Sequence, residues 1–305
     1  MSRRIELRRN EVLIGDALTV LRTLPDESVQ CCVTSPPYWG LRDYGHRTQI
    51  GAEQTVAEYI HSLVLVFREV RRTLRDDGTL WLNIGDSYTS GNRTWRDPDK
   101  KNPARGMSYR APTPEGLKPK DLIGVPWRLA FALQADGWYL RADIVWSKPN
   151  TMPESVKDRP TRAHEYVFLL TKSLRYFYDE KAIEELAVVG TRGSTFTKGK
   201  TAAAGLGRVS QLPRAERATR HARSVWTIAT QPYKGAHGAV FPPELPRRCL
   251  LAGSKHGDLV LDPFVGSGTT LMVARSLGRD YIGIDLNPES RGLTEQRLGA
   301  QEAAE

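Results

Sequence analysis

The segment LVLDPFVGSGTT, residues 259–270, has the pattern of a strand, a glycine-rich turn and a helix. An apolar run typical of a buried strand leads into Asp262, and Gly266 and Gly268 flank Ser267 before a helical pattern begins at Thr269. Glycines let the backbone approach a ligand closely, and the first turn of a helix offers unpaired N–H donors. The segment therefore predicts a βα unit whose connecting loop contacts a ligand.

Several interpretations of this loop compete. A dinucleotide loop has the pattern GxGxxG, but Leu271 occupies the third glycine position, and a Walker phosphate loop needs GKS or GKT, which is absent. Asp262 would repel phosphate but can accept from an amino group, which favours an adenosyl ligand without pyrophosphate. Asp285 lies 19 residues after Gly266, a separation at which an acidic residue reaches ribose hydroxyls. The plain alternative is a turn that only tightens the βα connection.

A second motif, TSPPYW at residues 34–39, follows another apolar run. Pro36 and Pro37 fix φ and remove two N–H groups, so the local backbone offers carbonyl acceptors without competing donors. Ser35 adds a hydroxyl oxygen and Tyr38 an aromatic ring. This combination is suited to holding a flat group that carries an amine, although Pro-Pro after a strand is also a common way to end one.

Hydrophobic periodicity elsewhere predicts an α/β fold with a mostly parallel sheet. The predicted helices are residues 56–75, 121–135, 243–252 and 269–277, and Gly78 is interpreted as the stop of the first. The predicted strands are residues 28–34, 79–84, 138–146, 258–261 and 281–285, and residues 164–171 and 174–178 are predicted to form a hairpin.

Composition excludes several classes of protein. The chain has 305 residues and its longest apolar run, residues 63–67, is far shorter than the ~20 needed to cross a bilayer. The basic N-terminus is followed by no apolar segment, so we predict a soluble, cytoplasmic protein without a membrane partner. The three cysteines form neither a disulfide framework nor a zinc pattern, and we predict no metal site.

Charge is unevenly distributed. The 44 Lys and Arg exceed the 35 Asp and Glu by +9. Residues 191–225 carry eight Lys or Arg and one Glu, and residues 87–120 carry eight Lys or Arg and three acidic residues. Neither segment has helical or strand periodicity. They are either solvated loops or segments that bind polyphosphate and become ordered on a nucleic acid.

Taken together, TSPPYW and DPFVGSGTT resemble the amino-methyltransferase family of DNA methyltransferases, which transfer methyl from S-adenosylmethionine to N4 of cytosine or N6 of adenine. The motif order resembles that of the family's permuted β group. Residues 83–88 (NIGDSY), 146–173 and 237–249 also resemble family blocks. The resemblance implies a Rossmann-like S-adenosylmethionine-dependent methyltransferase fold, with a mostly parallel sheet and a terminal antiparallel hairpin.

The resemblance also implies a division of the chain and a set of site residues. Residues 1–185, with the basic loop 87–120, would be the catalytic part, residues 186–230 the basic target-recognition segment, and residues 231–305 the cofactor-binding part. The catalytic residues would be Ser35, Pro36, Pro37 and Tyr38. The cofactor-binding residues would be Asp16, Phe241, Pro242, Asp262, Phe264, Gly266, Ser267, Gly268, Thr269 and Asp285. The DNA-binding residues would be Arg192, Lys198, Lys200, Arg208, Arg214, Arg217 and Arg220.

Two of these assignments have alternatives. Asp16 is equally suited to cap a helix N-terminus. Five polar residues in the block at 146–173 are expected to border the cleft, although they would serve equally as a salt-bridged surface; these are Lys148, Arg159, Arg162, His164 and Glu165.

The function implied is a site-specific DNA methyltransferase acting on N4 of a flipped-out cytosine, because Ser-Pro-Pro-Tyr accompanies cytosine more often than adenine in this family. The alternatives are N6 of adenine, an RNA substrate, and an inactive DNA-binding protein of the same fold. The partners implied are double-stranded DNA, a second copy in a homodimer and a cognate restriction endonuclease of a restriction-modification pair.

Overall fold

An eight-stranded sheet forms the centre of the molecule. The computed structural model describes residues 8–43, 46, 48–89, 112–186, 219–231 and 240–302. The strands are β1 (Glu11–Ile14), β2 (Val29–Thr34), β3 (Leu74–Ile84), β4 (Tyr139–Ser147), β5 (His164–Thr171), β8 (Val225–Thr227), β9 (Leu259–Asp262) and β10 (Asp280–Asp285), with β6 (Glu185–Leu186) and β7 (Thr219–Arg220) in a separate pair.

The sheet has the order β1-β10-β9-β2-β3-β5-β4-β8. The pairs on either side of β5 are antiparallel and the others are parallel, so β5 alone runs against the rest. This confirms the mostly parallel sheet. It also brings the first residues of β5 to the edge at which the other strands end, since His164 is paired with Ser147 and Tyr166 with Ile84.

Helices cover both faces of the sheet. Helices α1 (Ala17–Leu21), α2 (Val56–Thr73) and α3 (Val125–Ala135) pack on one face, and α4 (Glu244–Gly253), α5 (Thr269–Ser276) and α6 (Glu289–Glu302) on the other. Within β2, Cys32 belongs to the first core, whereas Cys31 and Val33 belong to the second, as the alternation of side chains along a strand requires. In the part of the chain that the structure describes, none of these helices is long and apolar enough to span a membrane.

Helix α2 begins as its sequence predicts and ends earlier. Thr55 accepts from the Glu58 backbone N–H at 3.1 Å while the Glu58 carboxylate accepts from the Thr55 N–H at 2.9 Å, which is a capping box. The helix ends at Thr73 and β3 follows directly at Leu74. Gly78 therefore lies inside β3, and its interpretation as the helix stop was wrong.

The predicted hairpin was also wrong in its second strand. Residues 174–178 form no strand, and β5 pairs instead with β3 on one side and β4 on the other. Residues 167–171 of β5 are buried in succession, which is typical of a central strand with both faces covered. Leu174 consequently turns away and is 69% exposed. The antiparallel pair near the end of the sheet is formed by β4 and β5.

Candidate active site

A cavity of about 560 Å³ lies at the edge where β1, β2, β9 and β10 end. Ser35 and Tyr38, from the loop after β2, form part of its wall, and Phe264 and Gly266, from the loop after β9, form another part. The two sequence motifs are more than 200 residues apart and border one space. Carboxyl ends of parallel strands are where open α/β sheets bind ligands.

Asp262, the last residue of β9, is buried at the base of this cavity with 2% of its surface exposed. Its carboxylate accepts hydrogen bonds from the Thr34 hydroxyl at 2.6 Å, the Thr270 hydroxyl at 2.7 Å and the Phe264 N–H at 3.1 Å. Burial raises the pKa of Asp262 to about 6, although the three hydrogen bonds act in the opposite direction. The bond to Thr34 ties the end of β2 to the end of β9.

The two glycines of the loop after β9 have different surroundings. Gly266 has φ of +51°, lines the cavity, and donates its N–H to the Asp285 carboxylate at 2.8 Å. Gly268 has φ of +80° and precedes α5, and a Cβ there would lie 2.6 Å from the Thr294 hydroxyl oxygen. Gly266 therefore faces the ligand space, whereas Gly268 permits the close approach of α6.

Two more carboxylates border the cavity at strand ends. Asp285 accepts from the Gly266 N–H and, through its other oxygen, from the Asn287 N–H at 2.8 Å. A carboxylate has about four acceptor positions, so capacity remains for hydroxyl donors. Asp16 caps α1, accepting from Thr19 through Oδ1 alone, and it also lines the cavity. The capping prediction for Asp16 is confirmed, and this leaves its other oxygen to face a ligand.

The charge of the cavity wall beside β1, β9 and β10 suits a cation. The described lining residues beside β1, β9 and β10 include Asp16, Asp262 and Asp285, and none of them is Lys or Arg. A pyrophosphate would meet three carboxylates there, whereas an amino group, a sulfonium or ribose hydroxyls would meet acceptors. Phe241 adds an aromatic wall. The donor and acceptor set thus fits the adenosyl ligand that the sequence favours.

The opposite side holds the Ser-Pro-Pro-Tyr segment. The Pro37 carbonyl accepts from the Tyr59 hydroxyl of α2 at 2.8 Å, which fixes the segment to the helix. The Tyr38 ring lies against Gly85, where an added Cβ would be 2.7 Å from the ring. Glycine at this position therefore provides the space that Tyr38 occupies.

A network of side chains surrounds the Tyr38 hydroxyl. Tyr38 donates to Glu165 Oε2 at 2.8 Å, and Asn83 Nδ2 donates to the same oxygen and to the Tyr38 hydroxyl, each at 3.1 Å. Lys148 Nζ donates to Glu165 Oε1 and lies 4.1 Å from the centre of the Trp146 ring. All five residues line the cavity. Burial, and next the Glu165 charge, raise the pKa of Tyr38 well above its usual value, so the phenol remains neutral.

Comparisons with known proteins agree with this geometry. Residues 29–296 match the DNA methylase family model for N6 and N4 enzymes. The type II methyltransferase M.SmaI of Serratia marcescens is 56% identical over 96% of this chain and 91% of its own length. M.XycI of Xanthomonas campestris pv. cyanopsidis is 57% identical over 97% of this chain and 89% of its own length. The chain belongs to the DNA methylase family.

Solved structures share the methylase fold. PvuII DNA methyltransferase (cytosine-N4-specific) superimposes with a TM-score of 0.64 at 20% identity, over 96% of this chain and 87% of that one. A putative DNA modification methylase of Thermus thermophilus, solved with S-adenosyl-L-methionine, gives a TM-score of 0.60 at 25% identity, over 96% and 94% of the two chains. The predicted fold class, a methyltransferase sheet, is confirmed.

Most residues expected at the site of this DNA methylase border the cavity. The cavity brings together Asp16, Ser35, Pro36, Pro37, Tyr38, Phe241, Asp262, Phe264, Gly266, Ser267, Thr269 and Asp285. Two do not line it. Pro242 is buried, and Gly268 packs against Thr294.

The block at 146–173 divides between the cavity and its surroundings. Lys148 and Glu165 line the cavity, whereas Arg159 lies over the Tyr88 ring at 3.8 Å and Arg162 is 3.9 Å from Asp86. Asn83 received no role from the sequence, although it lies in a segment recognised as a family block. Its signal was a polar residue within the apolar run LWLNI that ends β3.

The proposed DNA contacts fall mainly outside the described residues. This is so for Arg192, Lys198, Lys200, Arg208, Arg214 and Arg217, and for most of the basic loop 87–120. Arg220 is described, in β7, and its guanidinium is 3.5 Å from the Glu185 carboxylate.

Proposed function

We propose that this DNA methyltransferase transfers methyl from S-adenosylmethionine to N4 of a cytosine in double-stranded DNA. The observation that carries the proposal is the cavity itself, which has three carboxylates on one side and the Ser35 and Tyr38 hydroxyls on the other. The first side suits a cationic adenosyl cofactor, and the second suits a flat base carrying an amine.

The residues of the cofactor side fit S-adenosylmethionine. We assign Asp285 to the ribose, Asp262 and the backbone of residues 264–268 to the methionine part, Asp16 to the adenine amine and Phe241 to the pocket wall. We assign Pro242, the buried neighbour of Phe241 in the sequence, to support that wall. When bound, the cofactor supplies an electrophilic methyl group on a sulfonium.

The base side must activate a poor nucleophile. The lone pair of an exocyclic amine is delocalised into its ring, and acceptors that draw the N–H groups out of plane restore nucleophilic character. We assign Ser35 Oγ and the Pro36 carbonyl to accept one N–H each, and Pro37 and Tyr38 to fix the segment. Positioning of this kind can lower the activation barrier by roughly 7 to 11 kcal/mol.

The base has to leave the duplex to reach this cavity, at a cost of about a few kcal/mol of unstacking. Stacking on Tyr38 would return ~1 to 3 kcal/mol of this. We assign the backbone contacts to the basic segments, so that residues 186–230 recognise the target while residues 1–185 and 231–305 carry chemistry and cofactor. Binding to phosphates through these cations should weaken steeply with salt.

The identity of the base is tested by product analysis. The protein is incubated with methyl-labelled cofactor and separate DNA and RNA pools, which are then digested to nucleosides. Label in N4-methyldeoxycytidine from DNA supports the proposal. Label in N6-methyldeoxyadenosine would establish the alternative base, and label in RNA alone would overturn the choice of polymer.

The type II relatives also suggest partners. We propose that a cognate restriction endonuclease cleaves the same recognition sequence and that the methyltransferase forms a homodimer. Light scattering of the purified protein tests the dimer. Protection of methylated DNA from cleavage by the proposed cognate endonuclease tests the pairing.

A further inference from the structure

The proposed methyl transfer leaves one proton to be removed. When the amine nitrogen bonds the methyl carbon, the S–C bond breaks with its electron pair on sulfur and the nitrogen becomes cationic. One N–H proton must then leave to give the neutral methylated amine. Ser35 is the nearest assigned acceptor, and a serine hydroxyl is too weak a base to keep the proton.

A chain of hydrogen bonds leads away from Ser35. The Ser35 hydroxyl donates to the Tyr38 hydroxyl at 3.4 Å, and the Tyr38 hydroxyl donates to Glu165 Oε2 at 2.8 Å. The last partner is a carboxylate whose side chain is 18% exposed. The path thus runs from the cavity wall to a group that can hold a proton and exchange it with solvent.

The direction of this chain is fixed by the chemistry of its members. An ionised carboxylate can only accept, so the Tyr38 hydroxyl must give its proton to Glu165. Asn83 Nδ2 can only donate, and it donates to the Tyr38 oxygen. One lone pair of Tyr38 is therefore left to accept from Ser35. Asn83 Nδ2 also donates to Ser35 Oγ at 3.4 Å, and the second lone pair of Ser35 is left for the amine.

We propose that the proton released by the methylated amine passes through Ser35 and Tyr38 to Glu165. This inference rests on the proposed function. The amine proton moves to Ser35 Oγ as the Ser35 proton moves to Tyr38 and the Tyr38 proton to Glu165. The two hydroxyls end as they began, Glu165 becomes a neutral carboxylic acid, and the product amine is neutral.

The contacts around Glu165 and Tyr38 fix the geometry of this path. Lys148 holds the other carboxylate oxygen, and its ammonium is itself positioned over the Trp146 ring. The strongly raised pKa of Tyr38 prevents that phenol from ionising, so that it relays a proton and does not store one. Polarisation along linked hydrogen bonds also makes Ser35 a stronger acceptor while the methyl group is being transferred.

The test uses Tyr38→Phe, Glu165→Gln and the double variant in single-turnover methylation of DNA. Each single variant should lower the rate about 100-fold, within the ~10² to 10⁴ that positioned proton acceptors contribute. The double variant should be no slower than the slower single variant, because both interrupt one path. The dissociation constant for S-adenosylmethionine should be unchanged. The wild-type rate should be lower in D₂O than in H₂O, and this solvent isotope effect should be absent in Tyr38→Phe.

Glu69→Gln is the matched control, since it removes a carboxylate paired with Arg72 on α2 away from the cavity, and it should keep the wild-type rate. If the wild type methylates no nucleic acid, the proposed function fails. If the wild type is active, the relay is overturned by wild-type rates in both variants, by losses that multiply in the double variant, or by an equal loss of cofactor binding. Should Glu165→Gln fail to fold, Tyr38→Phe decides through the isotope effect, since Phe keeps the ring on Gly85.

Discussion

The two sides of the cavity are held in place by different kinds of contact. On the cofactor side, backbone N–H groups hold the carboxylates over short stretches of chain, since Phe264 is two residues from Asp262 and Gly266 is 19 residues from Asp285. On the base side, side chains hold one another over long stretches. Tyr38 is 127 residues from Glu165, and Asn83 is 82 residues from it.

This difference shows why one fold can keep a single cofactor while its base site changes. Backbone contacts within a loop persist through most side-chain substitutions, whereas a network of side chains is altered by each one. The buried bond between the Thr34 hydroxyl and the Asp262 carboxylate joins the two sides at 2.6 Å. This bond therefore fixes the position of the base site relative to that of the methyl donor.

The largest expected effects come from one substitution on each side of the cavity, one of which should lower the rate and the other the cofactor affinity. Ser35→Ala removes the acceptor beside the amine, so the single-turnover rate should fall about 1,000-fold with cofactor affinity unchanged. Asp285→Ala would remove the hydrogen bonds that we assign to the ribose, worth about 1.5 to 3 kcal/mol each, so the dissociation constant for S-adenosylmethionine should rise about 100-fold. Rates are measured at saturating cofactor, and affinity by calorimetry.

Ser276→Ala provides the control for these two substitutions, because its hydroxyl only donates to the Val273 carbonyl within α5. It should change neither quantity. Equal losses of rate and affinity in Ser35→Ala would show that Ser35 merely supports the loop. Unchanged cofactor binding in Asp285→Ala would remove the ribose assignment.

The same contrast explains which parts of the site could be predicted from the sequence and which could not. Ser35 and Asp285 were found because a Pro-Pro pair and a glycine loop impose local backbone geometry that is visible in a short segment. Asn83 was assigned no role because its partners, Tyr38 and Glu165, are specified by strand pairing. The direction of β5 depends on long-range contacts. Glu165 was expected to border the cleft, but the predicted pairing of β5 with residues 174–178 gave no indication that it contacts Tyr38 and Asn83.

Gly85→Ala tests whether the base side depends on the fit between Tyr38 and β3. The new Cβ would lie 2.7 Å from the Tyr38 ring and 3.3 Å from Glu165, so the rigid ring must move and its bond to Glu165 must lengthen. A misplacement of this order should slow methylation about 10- to 100-fold. Cofactor affinity should remain at the wild-type value.

Gly292→Ala on α6 is the matched substitution, since nothing lies within 4 Å of the added Cβ. It should leave the rate unchanged. A Gly85→Ala enzyme with full activity would mean that the Tyr38 hydroxyl needs no fixed position, which would weaken both the base site and the relay.

The smallest expected effect concerns Asp262, which belongs to the cofactor side and is tied to the base side. Its pKa of about 6 lies above the ordinary 3.8, because burial favours the neutral acid in the folded state. The stability gained from protonation is fully present below pH 3.8 and is lost as pH rises through about 6.

Asp262→Asn cannot titrate, so its free energy of unfolding relative to that of the wild type should rise by about 1 kcal/mol between pH 5 and pH 8 in the absence of cofactor. Thermal or urea unfolding across this range measures the difference, and Glu69→Gln should show no such slope. The same variant should bind S-adenosylmethionine more weakly at pH 8, where the wild-type carboxylate is ionised and, in our assignment, accepts from the amino group. If Asp262→Asn shows the expected rise in the free energy of unfolding but binds S-adenosylmethionine as tightly as the wild type, Asp262 links β2 to β9 and has no part in holding the cofactor.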